Sequence, residues 1–128
     1  MKLVGIVRKH LGRGKKLGYP TANIDIPLDV EEGIFLGYVH FHSVSNESEG
    51  WPSLVFIGRP KTFLDDKKRL EAYILDFNKD LYGQKITVEL IKKIRDNIKF
   101  ENSDQLVQQM KKDEAVAREY FSHYNSSN

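Results

Sequence analysis

Gly12-Arg13-Gly14-Lys15-Lys16-Leu17-Gly18-Tyr19-Pro20-Thr21-Ala22-Asn23 is the stretch on which the reading of this chain turns. Glycine permits positive φ and close backbone approach, so Gly12, Gly14 and Gly18 would expose a run of amide N–H groups. Such a concave run is an anion cradle, and Arg13, Lys15 and Lys16 add full positive charge to it. Thr21 and Asn23 are two apart, so on an extended segment their side chains share a face. A hydroxyl and an amide carbonyl are hard oxygen donors of the kind that magnesium accepts beside substrate phosphates. The Gly-Lys-Ser/Thr ending of a P-loop is absent, as is the Gly-x-Gly-x-x-Gly spacing of a dinucleotide fingerprint. A basic surface turn that binds nothing is the alternative reading of the spacing alone.

The surroundings of this loop are strands. Residues 2–9 alternate, with Leu3, Gly5 and Val7 on one side, and residues 24–27 are brief extended structure ended by Pro27. Residues 34–43 are rich in aromatic and β-branched side chains, which favours a strand. Residues 45–50 are polar and end in glycine, a hairpin loop before the strand 51–57. Residues 70–77 are the most apolar strand, and both of its faces read as buried. A turn at 78–80 leads to a long strand over 84–95. Ser103 caps a helix, with Asp104 in its first turn, and Leu106, Met110, Ala117, Phe121 and Tyr124 form its apolar stripe. Six or so strands at hairpin spacing and one helix predict a mostly β fold, a small antiparallel barrel with the helix (about 103–124) packed against it. One domain over residues 1–128 is expected.

Composition excludes several classes. With no cysteine among 128 residues, disulfides, thiolate metal sites and a cysteine nucleophile are ruled out. Of the four histidines only His40 and His42 are close, and without a third ligand they read as strand-surface residues. No stretch approaches the ~20 apolar residues of a membrane span, and Arg8, Lys9 and His10 interrupt any signal-like run. A cytoplasmic protein without membrane association is therefore expected. A net charge of +2 is too small to argue for nucleic acid.

The run from Gly12 to Asn23 resembles the signature loop of riboflavin kinases (flavokinases). Leu70-Glu71-Ala72-Tyr73-Ile74-Leu75-Asp76-Phe77 with Asp80-Leu81-Tyr82-Gly83 is similar to that family's second signature. Ile94-Arg95-Asp96, Phe100, Ser103, Leu106 and Asp113 follow its C-terminal pattern. The blocks stand in the family's order and cover nearly the whole chain. The resemblance implies a six-stranded antiparallel Greek-key barrel with a C-terminal helix. It also implies transfer of the ATP γ-phosphate to the 5′-hydroxyl of riboflavin, giving FMN and ADP, with magnesium as cofactor.

Carried over by position, Glu71 would be the catalytic base, and Thr21 and Asn23 would hold magnesium and the nucleotide phosphates. Gly12, Gly14 and Lys15 or Lys16 would line the phosphate flap, while Asp80 and Tyr82 would shape the nucleotide side. Arg95 and Phe100 would belong to the flap over the flavin. Each has a plainer alternative: Glu71 as a glutamate in solvent or paired with Lys68 or Arg69, Tyr82 as packing, Arg95 as a strand-end cation. His10 stands where the family commonly has glycine, and Arg59-Pro60 comes one place early. No room is left for an adenylyltransferase domain, so FAD synthesis is not expected, and a monomer is. The rival functions are a flavin or nucleotide sensor of the same fold, and a basic barrel binding nucleic acid.

Overall fold

A computed structural model describes residues 1–8, 21–42, 50–59 and 67–125. The unit Met1–Asn97 carries β1 (Lys2–Ile6), β2 (Ala22–Ile26), β3 (Gly33–Phe41), β4 (Trp51–Gly58), β5 (Lys68–Ile74) and β6 (Lys85–Arg95). They form one antiparallel sheet in the order β1-β6-β3-β4-β5-β2. Strands β3, β4 and β5 follow one another as neighbours and β6 returns beside β3, which is Greek-key order. The two sheet edges then meet, because Arg8 N donates to Asn23 O at 2.8 Å across the seam. The result is the nearly closed mostly-β barrel that the strand pattern predicts.

Alternation decides what fills it. In β1, Leu3 and the following Val7 are buried, whereas Val4 and Ile6 are about half exposed. Ile24, Leu70 and Ile57 lie directly opposite one another across β2, β5 and β4, and all three are sealed from solvent. The seam closes over Gly5. A Cβ at that position would stand 2.9 Å from the Cβ of Ile24, closer than packed carbon atoms approach. Gly5→Ala is therefore expected to destabilise the barrel by about 1–3 kcal/mol through overpacking. A urea midpoint unchanged from the native chain would show that the seam has slack.

Strand β5 differs from its sequence reading. It ends at Ile74, and Asp76 adopts φ 57°, which breaks the extended run before Phe77. Leu70, Ala72 and Ile74 face the core, but on the other face Glu71 is exposed and Arg69 and Tyr73 are half-buried, so that face of β5 is only partly covered. At the end of β6, Lys93 bonds Asp96 at 2.6 Å and Glu31 at 2.8 Å. Hydrogen bonding to Asp96 first, then to Glu31, raises the Lys93 ammonium pKa, and Lys93 lowers that of the Asp96 carboxyl.

The unit Ile98–Asn128 carries α1 (Ser103–Asn125). Its cap is Asn102 rather than Ser103, since the Asn102 side-chain oxygen accepts from Gln105 N at 2.9 Å. Ser103 is the first helical residue, and Asp104 stands in the first turn as its dipole favours. Met110, Ala117 and Phe121 are buried at helical spacing. Asp113 shares that buried side and accepts from Gln109 at 3.1 Å.

Candidate active site at the barrel seam

Strand pairing lays out one transverse row. Arg8 pairs with Asn23, Asn23 with Glu71, Glu71 with Phe56, Phe56 with Ile34, and Ile34 with Arg95. Directly paired residues of an antiparallel ladder project to the same face. Ala22, Ile24, Leu70 and Ala72 point into the core, so this row lies on the outer wall. Asn23 and Glu71 are thus nearest neighbours there, while Arg95 is three strand spacings from Glu71, roughly 14 Å along the wall.

Thr21, just before β2, donates its hydroxyl to Glu71 Oε1 at 3.3 Å. The bond is long and weak, and it spends the Thr21 proton on the carboxylate, leaving the hydroxyl lone pairs for another partner. Asn23 is 5% exposed. Thr21 and Asn23 sit two apart, so a hydroxyl oxygen and an amide oxygen stand together beside a carboxylate. That is a hard-oxygen donor set, and it fits magnesium. Glu71 is exposed, so burial does not single it out. Its neighbours carry the case instead.

A cleft of about 340 Å³ opens beside Thr21 at the mouth of the barrel. Its floor is Val7, Ala72, Ile74 and Leu81, and its rim is Arg8, Thr21 and the segment Phe77, Asn78, Lys79 and Asp80. Phe77 is held there by Trp51 and Phe41, at ring-centroid distances of 5.2 and 5.4 Å. A second, more open cleft of about 520 Å³ is lined by Ile6, Val7, Arg8, Asp25, Tyr82 and Gly83. Arg8 stands between the two.

The turn over Asp80-Leu81-Tyr82-Gly83 is built by two devices. The Asp80 carboxylate accepts from Tyr82 N at 2.9 Å, and Gly83 takes φ 83°, a conformation that costs glycine nothing. Gly83 N then donates to Val7 O at 2.9 Å, and Val7 N to Gln84 O at 2.8 Å, tying the turn to the end of β1.

The structure therefore gathers Thr21, Asn23 and Glu71 at one point, with Asp80 across the adjoining cleft. Tyr82 is not packing: it is 62% exposed, at the edge of the second cleft. Arg95 is half-buried at the far end of β6, where its Nη1 donates to Asp96 O at 3.0 Å. Phe100 is half-buried in the second unit. His10, Gly12, Gly14, Lys15 and Lys16 lie outside the described residues. Sequence reasoning missed Arg8, Phe77 and Lys79 as cleft residues. Arg8 carried a signal, being a cation at the strand end beside the glycine loop. His40 and His42 face Glu89 and Thr87 on the strand surface, and no cluster of three or more His, Cys, Asp or Glu occurs among the described residues. Among them, no helix is long and apolar enough to cross a membrane.

Comparison with known proteins gives the family. The bifunctional riboflavin kinase/FMN adenylyltransferase of Escherichia coli K12 is 35% identical over 108 residues, 84% of this chain and 34% of that protein. The RNA-binding riboflavin kinase RibR of Bacillus subtilis is 30% identical over 119 residues, 93% of this chain and 50% of that protein. The crystal structure of riboflavin kinase from Trypanosoma brucei superposes with a TM-score of 0.62 at 26% identity, covering 94% of this chain and 79% of that one. The chain spans half or less of the length of the curated relatives it matches. A family model described as flavokinase, riboflavin kinase, matches residues 1–121, and the chain belongs to that family.

Proposed function

We propose that this chain is an ATP-dependent riboflavin kinase, moving the γ-phosphoryl group of ATP to the ribityl 5′-hydroxyl to give FMN and ADP. The observation that carries the reading is the meeting of Thr21, Asn23 and Glu71 at the seam, beside a cleft rimmed by Arg8, Lys79 and Asp80. Phosphoryl transfer asks a protein mainly for positioning and charge stabilisation, with a group to take the hydroxyl proton. Glu71 accepts that proton as the new O–P bond forms and the bond to the ADP oxygen breaks. Thr21 and Asn23 are the residues that would hold magnesium, which when bound neutralises phosphate charge. Lys79 on the cleft rim is a cation that a phosphate group could meet. No side chain at the site calls for a covalent phospho-enzyme.

Thr21→Val tests the metal and nucleotide half of this reading, since it removes a hydroxyl at nearly constant volume. Losing one oxygen contact to a charged group is expected to weaken binding of the magnesium–ATP complex by roughly tenfold or more. Calorimetric titration reads this without turnover. Equal affinities for the two proteins would remove Thr21 from the metal site.

A further inference from the structure

We infer that Arg8 is a positioning residue for the nucleotide site, and that it acts by holding the Asp25 carboxylate away from the metal; this rests on the kinase reading above. Asp25 follows Asn23 by two places in β2 and projects to the same outer face as Asn23 and Thr21. A carboxylate is a stronger ligand for a hard divalent cation than a hydroxyl or an amide, and it repels phosphate. Left free, Asp25 would draw the metal along the wall and away from Glu71. Arg8 prevents this by two contacts. Its guanidinium bonds Asp25 Oδ2 at 2.8 Å, and its backbone N donates to Asn23 O at 2.8 Å. Side chain and main chain of one residue thus fix both the competitor and the strand that carries the proposed ligands.

Position supports this role over a purely structural one. The pair is 57% and 32% exposed, so it contributes little to stability. Yet Arg8 lines both clefts at the seam, between Thr21 on one side and Asp25 on the other. Arg69, which faces Asp25 across the β2–β5 ladder, has a buried Nε with no hydrogen-bond partner among the described residues. The 2.8 Å bond to Asp25 comes from Arg8.

The test is a cycle of Arg8→Met, Asp25→Asn and the double variant, with Arg8→Lys beside them. Magnesium–ADP affinity is read by calorimetry, thermal midpoints by circular dichroism, and KM for magnesium–ATP and for riboflavin by steady-state kinetics. Arg8→Met should weaken magnesium–ADP binding and raise KM for magnesium–ATP about tenfold or more, as loss of an outer-shell partner does, with the midpoint and the riboflavin KM little changed. Asp25→Asn alone should stay near native affinity. The double variant should recover most of the loss, and Arg8→Lys should retain part of the native affinity. A double variant as weak as Arg8→Met would overturn the proposal, because Asp25 would then not be the cause. So would an Arg8→Met protein with native affinity. If the native chain binds magnesium–ADP but does not phosphorylate riboflavin, the kinase reading fails while the binding cycle still decides the role of Arg8.

Discussion

Replacing Glu71 by glutamine is expected to lower riboflavin turnover by about 10²–10⁴, with nucleotide affinity changed much less. Glutamine keeps the length of the side chain and an oxygen that can accept from the Thr21 hydroxyl, so the contact seen at 3.3 Å is retained. What it loses is the capacity to take a proton. The loss should therefore fall on kcat rather than on KM for magnesium–ATP. Because Glu71 is exposed and makes no core contact, the variant should fold like the native chain, which separates chemistry from stability. Turnover within a fewfold of native would show that the proton leaves by another route and that Glu71 is only the Thr21 partner.

Leu70→Ala should be the most damaging substitution in the barrel wall. Leu70 is fully sealed, one residue before Glu71, between Ile24 of β2 and Ile57 of β4, themselves sealed. Truncation deletes about three buried carbons where rigid ladders on both sides limit collapse, so about 2–5 kcal/mol is expected. A single domain commonly has ~5–15 kcal/mol in total, so the variant approaches unfolding at moderate temperature. Chemical denaturation measures it, and a loss below about 1 kcal/mol would mean that the wall repacks freely. The substitution also bears on the site, since Leu70 and Glu71 occupy opposite faces of one strand. Loosening the inner face frees the outer row in which Asn23 and Glu71 meet.

The barrel was legible because its signals are local. Period-two alternation marks β1, the apolar spacing at Leu70, Ala72 and Ile74 marks the inner face of β5, and turn residues separate the strands. The helix cap was misread by one residue, because Asn102 and Ser103 are both competent caps and only the backbone decides between them. The outer face of β5 was misread because Leu75 and Phe77 extend the apolar pattern past the break at Asp76, and alternation carries no mark of a positive φ.

Thr21, Asn23 and Glu71 were nominated by motif, but their meeting was not readable. It depends on the register that sets Asn23 opposite Glu71, 48 residues apart in sequence and neighbours only once β2 lies against β5. The same holds for Arg8 and Asp25, whose pairing exists only because the barrel seam closes. Long-range register is a property of the whole sheet, and no window of sequence contains it.

The most direct measurement is conversion of riboflavin to FMN by the native chain, with ATP and magnesium present and each withheld in turn. Product is separated chromatographically, and γ-labelled ATP traces the phosphate. A riboflavin kinase gives labelled FMN with stoichiometric ADP, and none when ATP or the metal is absent. Tight flavin binding without labelled FMN would contradict the account and leave a sensor built on the same barrel.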